Sequence, residues 1–141
     1  MSFDLRVSQG TLVIKETAGD LSTVSDVDKL IQDIHKIVST PLGANRFFPW
    51  YGCNAIAVVG SLLDFTFRAT MAESQIRSAL QTLQKIQSEQ EKNQVLSPQE
   101  QLAAIRTVIV NENSLDPRFL QAMISIANKA LQTTDTVVNV E

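Results

Sequence analysis

Cysteine and histidine are almost missing from this chain: Cys53 and His35 are the only ones in 141 residues. A lone thiol cannot close an internal disulfide, so nothing calls for an oxidising compartment, and Cys53 reads as a small buried apolar residue. One cysteine and one histidine cannot make a zinc site, and no Cys-His or Ser-His-Asp motif is present. His35 lies off the apolar stripe of its helix, on a face with Asp28 and Gln32, and is expected to be solvated. Glycine is sparse, and Gly10, Gly19, Gly43, Gly52 and Gly60 are scattered, so there is no phosphate-cradling loop. No cofactor and no metal are expected.

An excess of positive charge is also lacking. Twelve basic residues against fifteen acidic ones give a net charge of -3. No basic stripe suggests a grip on phosphate backbones, so nucleic acid is not an expected partner. The most apolar stretch, Cys53 to Leu63, falls short of the roughly 20 residues that span a bilayer, so no membrane is expected either. Met1-Ser2-Phe3-Asp4 lacks the basic and apolar regions of a secretory signal, which implies folding in a reducing cytoplasm. Fifteen acids leave room for the carboxylate pair of a glycosidase, but Asp64, Glu73 and Asp116 carry no local signature. No catalytic residue is assigned, and the chain reads as a non-enzyme.

What is present is a folding composition. Hydrophobic residues make up 44% and charged residues 19%, enough for a packed core, and residues 1–141 fit one domain. Phe3, Leu5 and Val7 alternate with Asp4, Arg6 and Ser8. Gln9-Gly10 then turns into Thr11–Lys15, which predicts an N-terminal β-hairpin. A second turn at Ala18-Gly19-Asp20 leads to a short third strand over 21–24. Ser25 reads as a helix N-cap with Asp28 as a capping-box partner. Val27, Leu30, Ile31, Ile34, Ile37 and Val38 form one helical stripe. Pro41 and Gly43 end that helix near Ser39-Thr40.

The densest aromatic patch follows, with Phe47, Phe48, Trp50 and Tyr51 within five residues. Its favoured reading is a loop tucked under the first helix to close the core, and an interface role is the alternative. A short helix is expected over 54–63 and a long one over 68–92, with a narrow stripe at Ala72, Ile76, Ala79, Leu80, Leu83 and Ile86. Ser97-Pro98-Gln99-Glu100 is a strong helix start and predicts a further helix through Leu102, Ile105 and Val108. Residues 117–131 are ambiguous. Their local periodicity favours a helix, while Met123–Ile126 would suit a strand. Thr133–Asp135 reads as a turn, and Thr136-Val137-Val138-Asn139-Val140 is β-prone.

Several segments in combination resemble a known family. They are Gly19-Asp20-Leu21, Val24-Ser25-Asp26, the Asp28–Thr40 helix, Thr40-Pro41-Leu42-Gly43, Phe48-Pro49-Trp50-Tyr51-Gly52 and Asp116-Pro117-Arg118. Together they resemble the baseplate wedge proteins of contractile tails, the GpW and T-even gene-product-twenty-five-like family, over residues 3–140. Where the family has Glu-Pro-Arg, this chain has Asp116-Pro117-Arg118, which shortens the acid by one methylene. The resemblance implies strands after this motif, so a C-terminal β-hairpin is expected at 119–131 and 135–141. The overall expectation is an α+β fold with an N-terminal hairpin, a helical middle and a C-terminal hairpin open to strand addition.

The resemblance also implies a function. The chain would be a structural virion protein at the tail baseplate, assembled in the host cytoplasm in six copies per tail. Asp116, Pro117 and Arg118 would dock it on the wedge core proteins. Thr136, Val137, Val138, Asn139 and Val140 would offer an edge to strands of the tail sheath protein, so that the first sheath ring forms on it. Tail tube or hub proteins are further candidate partners. Two other readings stay open: a regulatory anti-adaptor of the same fold family, and, least favoured, a cell-wall lysozyme.

Overall fold

The computed structural model describes residues 2–8, 11–15, 19–59 and 61–140. Four short strands open the chain: β1 (Phe3–Leu5), β2 (Val7–Ser8), β3 (Thr11–Leu12) and β4 (Thr23–Ser25). β2 pairs antiparallel with β3, bracketing residues 9 and 10. The expected Gln9-Gly10 turn and Ala18 lie outside the described residues. The third strand is shifted to 23–25 and pairs with β1, so the N-terminal layer is two small ladders joined by an Ile14–Leu21 bridge.

The first helix, α1 (Asp26–Ser39), begins after Ser25 as expected, but the Ser25 side chain makes no capping bond. It ends at Thr40, whose N–H and hydroxyl both donate to the Lys36 carbonyl. The short helix predicted for 54–63 is a single 3-10 turn over Ala55–Val58. The long helix, α2 (Phe65–Glu91), starts earlier than predicted. Asp64 caps it by accepting from the Thr66 N–H at 3.1 Å.

The predicted third helix is absent. Ser97 and Glu100 do make the capping-box bond, with the Ser97 N–H donating to Glu100 Oε1 at 2.6 Å, but only one turn forms. The main chain is then seized by Gln87 of α2. Its amide donates to the Glu100 carbonyl at 2.9 Å and accepts from the Leu102 N–H at 2.8 Å. From there the chain runs extended as β5 (Leu102–Glu112). β6 (Leu120–Asn128) and β7 (Thr133–Val140) complete an antiparallel sheet of order β5-β6-β7. The C-terminal hairpin is thus real, but it is two strands of three. Thr133–Asp135 belongs to β7, and the turn lies before it, with Leu131 at φ 63°.

The ambiguity at 119–131 resolves to a strand. Leu120, Ala122, Ile124 and Ile126 are all buried with a period of two, facing the helices. Leu120 and Ile124 satisfy both periods, which is why local pattern misled. Both helices lie on this inner face, α2 over β5 and α1 over β7. Leu30, Ile34, Ile37, Ile76, Leu80, Ile124 and Val138 interlock there, each 2% exposed or less. The fold is α+β.

Candidate functional site

A three-stranded open sheet has two edges, and unpaired main-chain groups there invite another strand. Which groups face outward follows from the ladder. In an antiparallel pair, hydrogen-bonded and non-bonded residue pairs alternate. The Asn128 N–H donates to the Gln132 carbonyl at 3.1 Å, and the register then runs Ala127–Thr133 down to Leu120–Val140 without a slip. Thr134, Thr136, Val138 and Val140 therefore bond to β6, while Thr133, Asp135, Val137 and Asn139 aim their N–H and C=O groups away from the sheet.

The same alternation points the Val108, Val110 and Glu112 main chain outward from β5. α2 holds part of that edge. The Val110 N–H donates to Glu73 Oε1 at 3.2 Å, as the alternation requires. Gln84 donates to the Ala103 carbonyl at 3.0 Å, and Gln87 holds Leu102. On β7, among the described residues, no hydrogen bond joins the main chain of 133–140 to anything except β6. One edge is capped in part by side chains, and the other, among the described residues, is open. The open one is the stretch singled out from the sequence, Thr136 to Val140. Within it, Val137 and Asn139 carry the outward groups, and Val138 and Val140 are core residues. Sequence reasoning missed the cap on β5. Gln87 sits one turn after Leu83, a buried glutamine in an apolar stripe, and that was its only signal.

The outer face of the sheet carries one cross-strand apolar row, Ile109–Met123–Val137, each about half exposed. Polar rows flank it, Asn111–Gln121–Asn139 on one side and Thr107–Ser125–Asp135 on the other. The row runs out to the β7 edge.

Asp116, Pro117 and Arg118 lie in the β5–β6 loop, which the Leu120–Val140 pairing places at the end of the sheet where β7 finishes. The two charged residues expected to contact a partner instead pair with each other within the loop. Arg118 Nη2 meets Asp116 Oδ2 at 2.8 Å and Nε meets Oδ1 at 3.1 Å, while the Arg118 N–H also donates to Oδ1 at 3.0 Å. The Arg118 hydrogen bonds hold the Asp116 carboxyl below the usual carboxylate range. The arginine side chain is 82% exposed, so the pair is presented to solvent.

The aromatic loop does not close the core. Phe47 is 85% exposed, and Phe48 and Trp50 are both exposed and meet edge to face at 5.7 Å. Asn45 accepts from the Phe47 and Phe48 N–H groups and holds the loop turned outward. Only Tyr51 packs inward, where burial and the nearby Asp33 push its hydroxyl pKa up. The expectation for His35 is also corrected. It is half buried, and its Nε2 lies 2.8 Å from Thr136 Oγ1, tying α1 to β7. Burial lowers its pKa.

The acids considered for a glycosidase have separate structural partners: Asp64 caps α2, Glu73 caps β5 and Asp116 pairs with Arg118. Among the described residues, no group of three or more His, Cys, Asp or Glu side chains could hold a metal, and no helix is long and apolar enough to cross a membrane.

No protein-family model matches this chain, and no curated protein does. A solved structure does. It is the crystal structure of a "putative tail lysozyme" from Geobacter sulfurreducens, at 17% identity and a TM-score of 0.57, covering 79% of this chain and 86% of that one. The two proteins share a fold.

Proposed function

We propose that this chain is a structural, non-enzymatic subunit of a contractile phage tail, docked on the baseplate wedge, where it starts the sheath. The observation that carries the reading is the asymmetry of the sheet: Glu73, Gln84 and Gln87 cap the β5 edge at Val110, Ala103 and Leu102, and among the described residues nothing caps the β7 edge. An open edge is an aggregation liability unless a partner completes it, and strand addition is the way extended segments bind such edges. The shared fold with a protein named for a phage-tail enzyme is consistent with a place in a tail. That protein's name raises a lytic activity. Here Asp64, Glu73 and Asp116 each have a separate structural partner, which favours the structural reading.

In this reading a sheath strand adds to β7. The exposed Asp116–Arg118 pair, fixed by Pro117, meets the wedge core, using guanidinium donors that Asp116 leaves free. The test is Asn139→Pro in the tail-producing system. It removes an outward N–H and leaves the main-chain bonds to β6, losing only the exposed Gln121–Asn139 side-chain bond, as proline is tolerated on edge strands. Electron micrographs should then show tubes and baseplates with little sheath. Normal sheath on those particles would refute strand addition. Arg118→Ala should reduce incorporation into wedges, read as the amount of this chain in purified baseplates. A clearing activity on cell walls, lost on replacing one acid, would establish the enzyme instead.

A further inference from the structure

We propose that the groove beside the open edge of β7 is a side-chain reading site, which accepts the inward-facing apolar residues of the strand that adds there. This rests on the strand-addition reading and names the chemistry that selects the strand.

The groove has a volume of about 730 Å³. Its floor is the Ile31, His35 and Ser39 row of α1, one turn apart and so on one line of the helix. That row belongs to neither neighbouring surface. On one side of it, Gln32 and Lys36 are bonded to the N-terminal strands, Gln32 Oε1 accepting from the Val7 N–H at 2.9 Å and Lys36 donating to Asp4. On the other side, Ile34 and Val38 are in the core. Val7 and Val13 form the far wall, and His35 reaches Thr136 on β7. His35 thus links the groove to β7, although no β7 residue lines it. A strand added about 4.8 Å beyond β7 would lie on the side of the sheet that His35 faces.

The occupant's chemistry follows from both walls. Outward main-chain groups at Asp135, Val137 and Asn139 require an extended backbone. The residues of that strand opposite Thr136 and Val138 point inward, onto Ile31 and the hairpin valines, and aliphatic side chains fit there. The residue opposite Val137 points outward and extends the Ile109–Met123–Val137 row. The partner segment is thus an extended stretch of another subunit with a short run of aliphatic residues on both faces, flanked by polar ones. A lysine at an inward position would be set against Ile31 and beside Arg6 and Lys36, which also line the groove, with Asp28 already shared by Arg6.

The test uses the full 15N-labelled chain and two eight-residue synthetic peptides, called Val and Lys: one has three consecutive valines flanked by threonines, and the other has the first and third of those valines replaced by lysine. The Val peptide should shift the amides of Asp135, Val137, Asn139, Ile31 and His35, and the Lys peptide should bind at least ten-fold more weakly. Ile31→Lys should weaken the Val peptide at least ten-fold, and Ile31→Ala, which keeps the fold if the lysine does not, should weaken it several-fold. Unchanged binding by both Ile31 variants, with Asn139→Pro still abolishing it, overturns the groove and leaves strand addition standing. Equal binding of the two peptides, or no shifts from either, also overturns the groove. In those cases strand addition is judged by the sheath count on Asn139→Pro tails. Concentration-dependent shifts of the same amides without peptide would make a second copy the occupant and overturn the proposal as stated.

Discussion

At the residue scale, the molecule depends on a few positions where one atom decides. Gly52 is the clearest. Its φ is +123°, and a Cβ there would come within 2.6 Å of the Thr40 carbonyl oxygen. The backbone is this close because Thr40 accepts from the Cys53 N–H at 2.8 Å, sealing the base of the aromatic loop against the end of α1. Gly52→Ala is expected to cost about 2 kcal/mol or more, combining backbone strain of order 1–3 kcal/mol with loss of that bond. A lower midpoint in urea unfolding, with an unchanged slope, is the result that checks it. This position was legible in the sequence as part of the loop pattern ending in glycine, without the reason. The exposure of Phe47, Phe48 and Trp50 was not legible, because aromatic content reports large apolar area and says nothing about which side of a turn it occupies. Gln87 is a second such position. It is buried, and it both donates and accepts on the first residues of the sheet. Gln87→Leu leaves the Glu100 carbonyl and the Leu102 N–H unsatisfied, and a loss of about 1–3 kcal/mol is expected on the same unfolding curve.

At the element scale, tertiary contacts overrode local propensity. The capping box at Ser97 to Glu100 is physically real, yet a strand follows, because α2 supplies the edge bonds that β5 needs. Sequence pattern reports what a segment would do alone, and β5 takes its edge bonds from α2 residues 15 or more positions away. For the last third of the chain the family pattern gave strands and local periodicity gave a helix, since alternate apolar residues at 120, 122, 124 and 126 partly coincide with helical spacing. The N-terminal ladder is attached to α1 by polar contacts. Lys36 and Gln32 hold Asp4, while Phe3, Leu12 and Ile14 face solvent. Partial burial pulls the Asp4 carboxyl up, and the bonds from Lys36, the Leu5 N–H and Gln32 outweigh it, so Asp4 titrates below its ordinary range. A depressed carboxyl stabilises the fold above its unfolded pKa, and that contribution is lost as the pH falls through the folded value. Asp4→Asn should therefore lower stability near neutral pH and converge with the parent chain in acid. A gap that stays constant across a pH series of thermal melts would contradict the assignment.

At the scale of the whole molecule, the arrangement is asymmetric: two helices cover the inner face, α2 also caps part of one edge, and among the described residues the other edge and the outer apolar row are left uncovered. β7 is at once a core strand and a free edge, with Val138 and Val140 buried and the main chain of Val137 and Asn139 pointing outward. The sequence marked the stretch as β-prone, but the division of labour inside it depends on a register fixed by the Asn128–Gln132 turn. That division predicts an alternating pattern of amide exchange. In the isolated chain, the Thr136 and Val138 amides bond to β6 and should exchange at least about a hundred-fold more slowly than those of Asp135, Val137 and Asn139, which open to water without unfolding. In assembled tails, labelled intact and then dissociated under quench, the outward amides should become as slow as the inward ones, because another backbone now holds them. Equal protection of both sets in the isolated chain would mean that the edge is already closed, and the account of this chain as the start of a polymer would fail with it. Persistent fast exchange at Val137 and Asn139 in the assembled particle would move the docking surface to the outer apolar row or to the Asp116–Arg118 loop.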